Sequence, residues 1–197
     1  QAEIGLGLMA LNLNQLDIGE RRFQQILNEA EERSDTPVML TCFHYICALA
    51  WQKGDLQKCE AVSRLGLAQT KKGDLSVVRA QILLSLSAVQ ATNGKLQEAE
   101  DNMEEAASIF SRLMRKEQNA TVLCNLSEIQ IWQGKFSRAI KNTETALKLS
   151  RNTMFRSGEA HAHLSLTMAL YALGLYERAT PHITESLRIS KDSGLND

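Results

Sequence analysis

A glycine or asparagine recurs every 40 residues along this chain, at Asn14, Gly54, Gly94, Gly134 and Gly174. Two residues after each marker stands a large apolar side chain: Leu16, Leu56, Leu96, Phe136 and Tyr176. Five residues after it stands a small one: Gly19, Cys59, Ala99, Ala139 and Ala179. Seven residues before it is another small residue, Gly7, Cys47, Ser87, Ser127 or Thr167, preceded at once by Leu6, Ile46, Leu86, Leu126 or Leu166. Self-similarity at a fixed period of this length is the signature of a solenoid, in which each unit buries its apolar face only by stacking on its neighbours.

The segments on both sides of each marker carry apolar residues at three- and four-residue intervals, as amphipathic helices do. Before Gly54 the run is Phe43, Ile46, Cys47, Leu49 and Ala50; after it, Leu56, Cys59, Val62, Leu65 and Gly66. The marker then ends a helix A in the left-handed region, and helix B folds back after a short turn. Asp55 is placed to cap the helix that follows, and the fixed small residues let the two helices approach closely. Breaks between repeats are expected at Ser34 to Pro37, with Pro37 at a helix start, at Lys72 to Asp74, at Asn119 and at Asn152 to Thr153.

Composition excludes several classes of partner and chemistry. The 22 basic and 23 acidic residues give a net charge of -1, so no charge excess draws the chain to nucleic acid or anionic lipid. With 44% hydrophobic residues the chain is not disordered, and two prolines among good helix formers indicate an all-helical protein. Cys42, Cys47, Cys59 and Cys124 have no CxxC spacing and read as buried, reduced thiols. The sequons at Asn119 and Asn125 lie in or beside a helix and are expected to be unused. No run of 18 apolar residues appears, and the opening residues are already in mid-pattern, which reads as a cytoplasmic fragment of a longer protein.

These residues resemble the tetratricopeptide repeat family, whose pattern has a small residue in mid helix A, Gly at the turn, an aromatic or Leu two later and Ala five later. The resemblance implies an all-α, right-handed α-α superhelix of about five antiparallel helix pairs. The repeats are then approximately 1–34, 35–73, 74–116, 117–152 and 153–193, in a single solenoid over residues 1–197. Its first two copies depart most, with Asn14 and Gly19 in one and Cys59 in the other. The family's usual period is 34, and the six extra residues, with helix-B endings such as Ala146 to Ser150, resemble the repeat regions of large bacterial signalling ATPases and regulators.

The resemblance further implies that helix A of each repeat lines a concave groove, and helical geometry picks out which residues share that stripe. Residues 13, 9, 6 and 2 before each marker lie on one face. They are Gln1, Gly5, Leu8 and Asn12; Thr41, Tyr45, Ala48 and Gln52; Gln81, Ser85, Ala88 and Thr92; Thr121, Asn125, Glu128 and Trp132; His161, Ser165, Met168 and Ala172. Glu128 is the one charge, in a chain of which 23% is charged. A clamp for the acidic tails of chaperones needs Lys, Arg and Asn on this stripe, so an acidic tail is not expected as a partner. A peptide or partner domain with apolar anchors is, with Tyr45, Gln52, Ser85, Thr92, Asn125, Glu128, Trp132, His161 and Met168 as its contacts. The bland alternative for Tyr45 and Trp132 is that they pack between neighbouring A helices.

No cofactor and no metal are expected. His161 and His163, two apart on a helix, point to different faces, and His44 with Cys47 lacks a third group to orient the ring. The acids of Glu98 to Asp101 with Glu104 and Glu105 are expected on the solvated outer face of a B helix. There is no Gly-rich phosphate loop, paired acid or nucleophile motif, so the chain reads as a protein-interaction scaffold and not an enzyme. The alternative is an effector-sensing segment of a larger signal-transduction ATPase or transcription regulator. With Leu6, Leu8, Leu11 and Leu13 at one end and Ile183, Leu187 and Ile189 at the other, self-association through the terminal repeats is also expected.

Overall fold

The computed structural model describes residues 15–71 and 73–193. Among them are nine α-helices and no strand: α1 (Leu16–Glu32), α2 (Thr36–Gln52), α3 (Leu56–Ala68), α4 (Val77–Thr92), α5 (Leu96–Arg112), α6 (Lys116–Trp132), α7 (Phe136–Asn152), α8 (Arg156–Ala172) and α9 (Tyr176–Asp192). Helices α2, α4, α6 and α8 are the A helices of the second to fifth repeats, and α1, α3, α5, α7 and α9 are B helices. The expected first A helix, with Gln1, Gly5, Leu8 and Asn12 and the marker Asn14, lies outside the described residues. The chain divides into two compact units that part at Gly94.

The turns repeat as closely as the helices do. Gly54, Gly94, Gly134 and Gly174 all have φ between 73° and 75°, the left-handed conformation expected of the marker. The residue after the marker then donates its N–H five residues back, Asp55 to Ala50 at 2.8 Å, Lys135 to Gln130 at 2.7 Å and Leu175 to Leu170 at 2.9 Å, which satisfies a carbonyl of the helix end. Three turns between repeats use the same geometry without glycine, Ser34, Met114 and Met154 having φ of 53°, 56° and 55°, while the fourth has Gly73 at 88°. Asp35 and Asp55 accept from Val38 N–H and Lys58 N–H at 3.3 Å and 3.0 Å, capping α2 and α3, and Pro37 sits in the first turn of α2. Asn119, taken as a break, instead lies within the first turn of α6.

In the first unit, α2 packs against α1, α3 and α4 around Phe23, Leu27, Leu40, Phe43, Ile46 and Ile82. The small-residue positions fall at the closest approach of α2 and α3. Cys47 and Cys59 are fully buried there, and Cys47 Sγ lies 3.2 Å from Ser63 Oγ. All four cysteines are buried free thiols. In the second unit α5 packs on α6, α7 on both α6 and α8, and α9 on α8. Ser127 and Ala139 occupy the equivalent seam without exposure, and Ser127 Oγ donates to the Cys124 carbonyl at 2.6 Å.

The acidic run on α5 is not wholly solvated, as the sequence reading had it. Glu100 is 1% exposed. Its carboxylate accepts from Lys135 Nζ, from Arg138 Nη1 at 2.9 Å and from Gln130 Nε2 at 3.1 Å, and Arg138 also reaches Glu104. Burial pushes the Glu100 carboxyl up, but the bonds from Lys135 and Gln130 and the charges of Lys135 and Arg138 outweigh it and hold it below the ordinary carboxylate value. The first unit has a similar device, in which Glu20 on α1 pairs with Lys53 and with Lys58 on α3.

Three substitutions test this architecture. Nothing lies within 4 Å of a Cβ added at Gly134, so Gly134→Ala meets only backbone strain and is expected to cost about 1 kcal/mol. Met154→Gly, at an exposed left-handed position, is expected to gain about 0.5 kcal/mol, the relieved strain less the added chain entropy. Urea denaturation of both variants measures the two signs. Glu100→Ala leaves the buried Gln130 amide unpaired and is expected to cost about 2 to 3 kcal/mol at neutral pH. Because the native Glu100 carboxyl sits below its unfolded value, that cost shrinks as pH falls through the lowered value, which denaturation repeated in acid would show.

Candidate functional site

The stripe positions on the A helices are, with one exception, accessible. On α2 Thr41, Tyr45 and Ala48 are half-buried and Gln52 is exposed; on α4 Gln81, Ser85 and Ala88 are half-buried and Thr92 is exposed. In the second unit Thr121, Asn125 and Glu128 on α6 and His161 and Met168 on α8 are half-buried, while Trp132 and Ala172 are exposed. Ser165 is the exception, buried with its hydroxyl unpaired. The pattern arises because α2, α6 and α8 each pack against two B helices, α4 packs against α3, and the A helices of one unit pack on each other, α2 against α4 and α6 against α8.

The hydrogen-bonding character of the strip comes from its own backbone. Thr41 Oγ1 donates to the Pro37 carbonyl at 2.9 Å, Ser85 Oγ to Gln81 at 3.3 Å, Thr92 Oγ1 to Ala88 at 2.9 Å and Thr121 Oγ1 to Glu117 at 3.2 Å. With their protons turned back into the helix, these hydroxyls present lone pairs outward. Glu128 adds carboxylate oxygens, and Gln52 and Asn125 add amides. The strip is therefore rich in acceptors and holds no Lys or Arg.

Glu128 is not isolated. His161 Nε2–H on α8 donates to Glu128 Oε1 on α6 at 2.9 Å, so the one charge of the strip and its nearest polar neighbour bridge two successive A helices. Trp132, one turn beyond Glu128 on the same face, is 56% exposed. Tyr45 is placed otherwise: its ring stacks on Phe23 of α1 with centroids 4.9 Å apart and planes 18° from parallel, and His44 flanks it. It follows the packing alternative, though against a B helix rather than an A helix. Of the two aromatic candidates, only Trp132 presents most of its ring to a partner.

The histidines part as their spacing requires. His161 lies on the strip, while His163 turns into the body of the second unit and meets His182 on α9. His163 occupies the register position held by Phe43, Leu83 and Leu123 in earlier repeats, and a search for polar residues at that apolar position would have found it. Glu100 and Glu20 were also missed. Aligning the repeats shows the signal, an acid six residues after the marker and a base four after the next one, in Glu20 with Lys58 and in Glu100 with Arg138.

No protein-family model matches this sequence, and no curated protein matches it. Solved structures do. BtubC (BKLC) from P. vanneervenii superposes with a TM-score of 0.84 at 20% identity, over 96% of this chain and 78% of that one. A putative kinesin light chain from Podosopora anserina with nearly identical TPR-like repeats gives 0.78 at 16% identity, over 99% and 96%. MamA from Desulfovibrio magneticus gives 0.70 at 12% identity, over 97% and 94%. The fold of this chain is the all-α helical repeat of tetratricopeptide-like proteins.

Proposed function

We propose that this chain is a protein-interaction scaffold that takes a peptide or a partner domain along the accessible strips of its A helices. The observation that carries this reading is the second unit's strip, where Trp132 stands exposed one turn from the Glu128–His161 bridge, with Asn125 and Met168 at accessible positions of the same strips. A large aromatic ring next to a few fixed polar groups is the composition of an interface hot spot. Gln52, Ser85 and Thr92, with the edge of Tyr45, form the corresponding strip of the first unit.

The partner's chemistry follows from that of the strip. Outward lone pairs on Thr41, Ser85, Thr92 and Thr121 call for N–H donors, which an extended backbone or amide and basic side chains supply. Trp132 and Met168 call for an apolar anchor. An acidic tail meets Glu128 and no cation, so it is repelled. Helical repeats sharing the fold are known here from the kinesin light chain and MamA likenesses, which agree with a scaffold and name no partner. None of the described helices is long and apolar enough to cross a membrane. The hollow bounded by Asp17, Glu20, Arg21, Gln24 and Lys58 is lined by ion-paired groups of α1 and α3, and no observation favours the effector-sensing reading.

A peptide array probed with the intact chain, with Trp132→Ala and with Leu65→Ala tests the proposal. Both side chains are 56% exposed, one on the strip and one on a B helix, so both substitutions leave the fold in place. Trp132→Ala is expected to lower the affinity of apolar-anchored peptides by about tenfold or more, while Leu65→Ala leaves it unchanged. Equal behaviour of the two variants would move the binding surface off the A helices.

A further inference from the structure

Three elements of the second unit converge on a chain of polar groups, with Glu159 and His163 buried and Arg151 and His182 more open, that the interaction reading does not use. Arg151 lies at the end of α7, Glu159 and His163 on α8, and His182 and Glu185 on α9. Arg151 Nη2 lies 3.3 Å from His163 Nε2, and His163 Nδ1 lies 2.9 Å from His182 Nδ1. A guanidinium only donates, so His163 Nε2 must accept. The His163 proton is therefore on Nδ1, where it is donated to His182 Nδ1, and the His182 proton is on Nε2. Both rings are neutral, and each uses its one acceptor nitrogen.

That arrangement has no vacancy for another proton. A first proton placed on the pair either meets the N–H of Arg151 or reverses the bond between the rings, turning His163 Nε2–H against the guanidinium. A second proton puts two N–H groups and two charges face to face at 2.9 Å. The surrounding charges do not favour either step. Arg151 on α7, Arg156 on α8 and Arg178 and Arg188 on α9 face Glu159 on α8 and Glu185 on α9, and the two acids are already engaged, Glu159 by Arg151 and Arg156 and Glu185 by Arg188. Burial, then the mutual repulsion of the rings and the Arg151 charge, hold His163 below the ordinary histidine value; burial, Arg151 and Arg178 do the same to His182.

Helix α9 depends on this contact more than its neighbours would. Pro181 interrupts its hydrogen-bond ladder, and among its residues only Ala179, Ser186 and Ile189 are buried. We propose that Arg151, His163 and His182 form an acid-released latch that fastens α9 to α8 when both imidazoles are neutral and lets it open when they are protonated. Its release uncovers the apolar cluster of Leu166, Leu170 and Ala179. The stabilisation is complete above the unfolded histidine value of 6.5 and is lost as pH falls through the lower folded values. Glu159, His163 and Glu185 also bring ligand atoms within 4.8 Å of one another, as a metal site does, but Arg151 already fills the cation's place between Glu159 and His163.

The test follows histidine Cε1–H resonances of the 197-residue chain from about pH 8 to about pH 4.5, with amide hydrogen exchange of α9 read against that of α6. Both imidazoles are expected to titrate below the ordinary value, and α9 protection to fall by about tenfold for each unit by which each is lowered. His182→Gln keeps an acceptor for His163 and takes no proton itself, so its α9 protection should fall only by the share of His163, a shallower loss than that of the wild type. The latch is overturned if either ring titrates at the ordinary value, if α9 protection ignores pH, or if His182→Gln behaves as the wild type. Equimolar zinc that raises α9 protection in the wild type but not in His182→Gln would also overturn it, in favour of a metal centre. Should His182→Gln fail to fold, the titration of the wild-type rings decides alone.

Discussion

The fold rests on the contact between two helices at a pair of small side chains. Cys47 meets the α3 surface at the Cys59 carbonyl and the Ser63 hydroxyl, and Ser127 and Ala139 hold the equivalent positions on α6 and α7 with no exposure. That approach sets how far each B helix lies from its A helix, and so which residues of the next repeat reach the core. The left-handed marker is its companion constraint, because only a turn that reverses the chain within a few residues delivers the small residue of helix B to that of helix A. The open strip on each A helix is the remainder once those contacts are made.

Features governed by local rules were legible in the sequence. The left-handed glycines, the cap at Asp55, the buried cysteines and the accessibility of Gln52, Thr92, Asn125, Glu128 and Trp132 all follow from spacing within one repeat. What escaped needs two repeats at once. Glu100 looks like a surface acid on its own helix and becomes a buried one because Gln130, Lys135 and Arg138 arrive from the following repeat. Tyr45 has the right position for the strip, yet Phe23, more than twenty residues before it, captures its ring. The left-handed turns at Met114 and Met154 carry no residue signature at all, since methionine there is tolerated against its preference.

Polar groups serve opposite ends in the two parts of the second unit. In the interior they are consumed: Glu100 binds three partners, and Asn142 donates to the Gln130 carbonyl oxygen at 2.9 Å. A buried group left unpaired costs more than the bond is worth, and in this unit the buried Ser150 and Ser165 hydroxyls bear that cost. On the strip the hydroxyls settle only their protons, against their own helix, and keep acceptor capacity in reserve. Binding then adds bonds without first breaking any between helices, Glu128 with His161 excepted.

The side-chain bonds that tie one repeat to the next join residues close along the chain: Lys58 to Glu20 and Lys135 to Gln97 span 38 positions each, and His161 to Glu128 spans 33. None of these asks the chain to close a loop longer than one period. The entropic cost of each step in assembly is therefore small and nearly constant, whichever repeat forms first. A chain wired in this way can begin to fold at any hairpin and grow in either direction, and its kinetics should be fast for its length. The same wiring makes damage local. A defect in one hairpin loosens its two neighbours and leaves more distant repeats in place, so the protein would lose order piecemeal from an end before it lost it all at once.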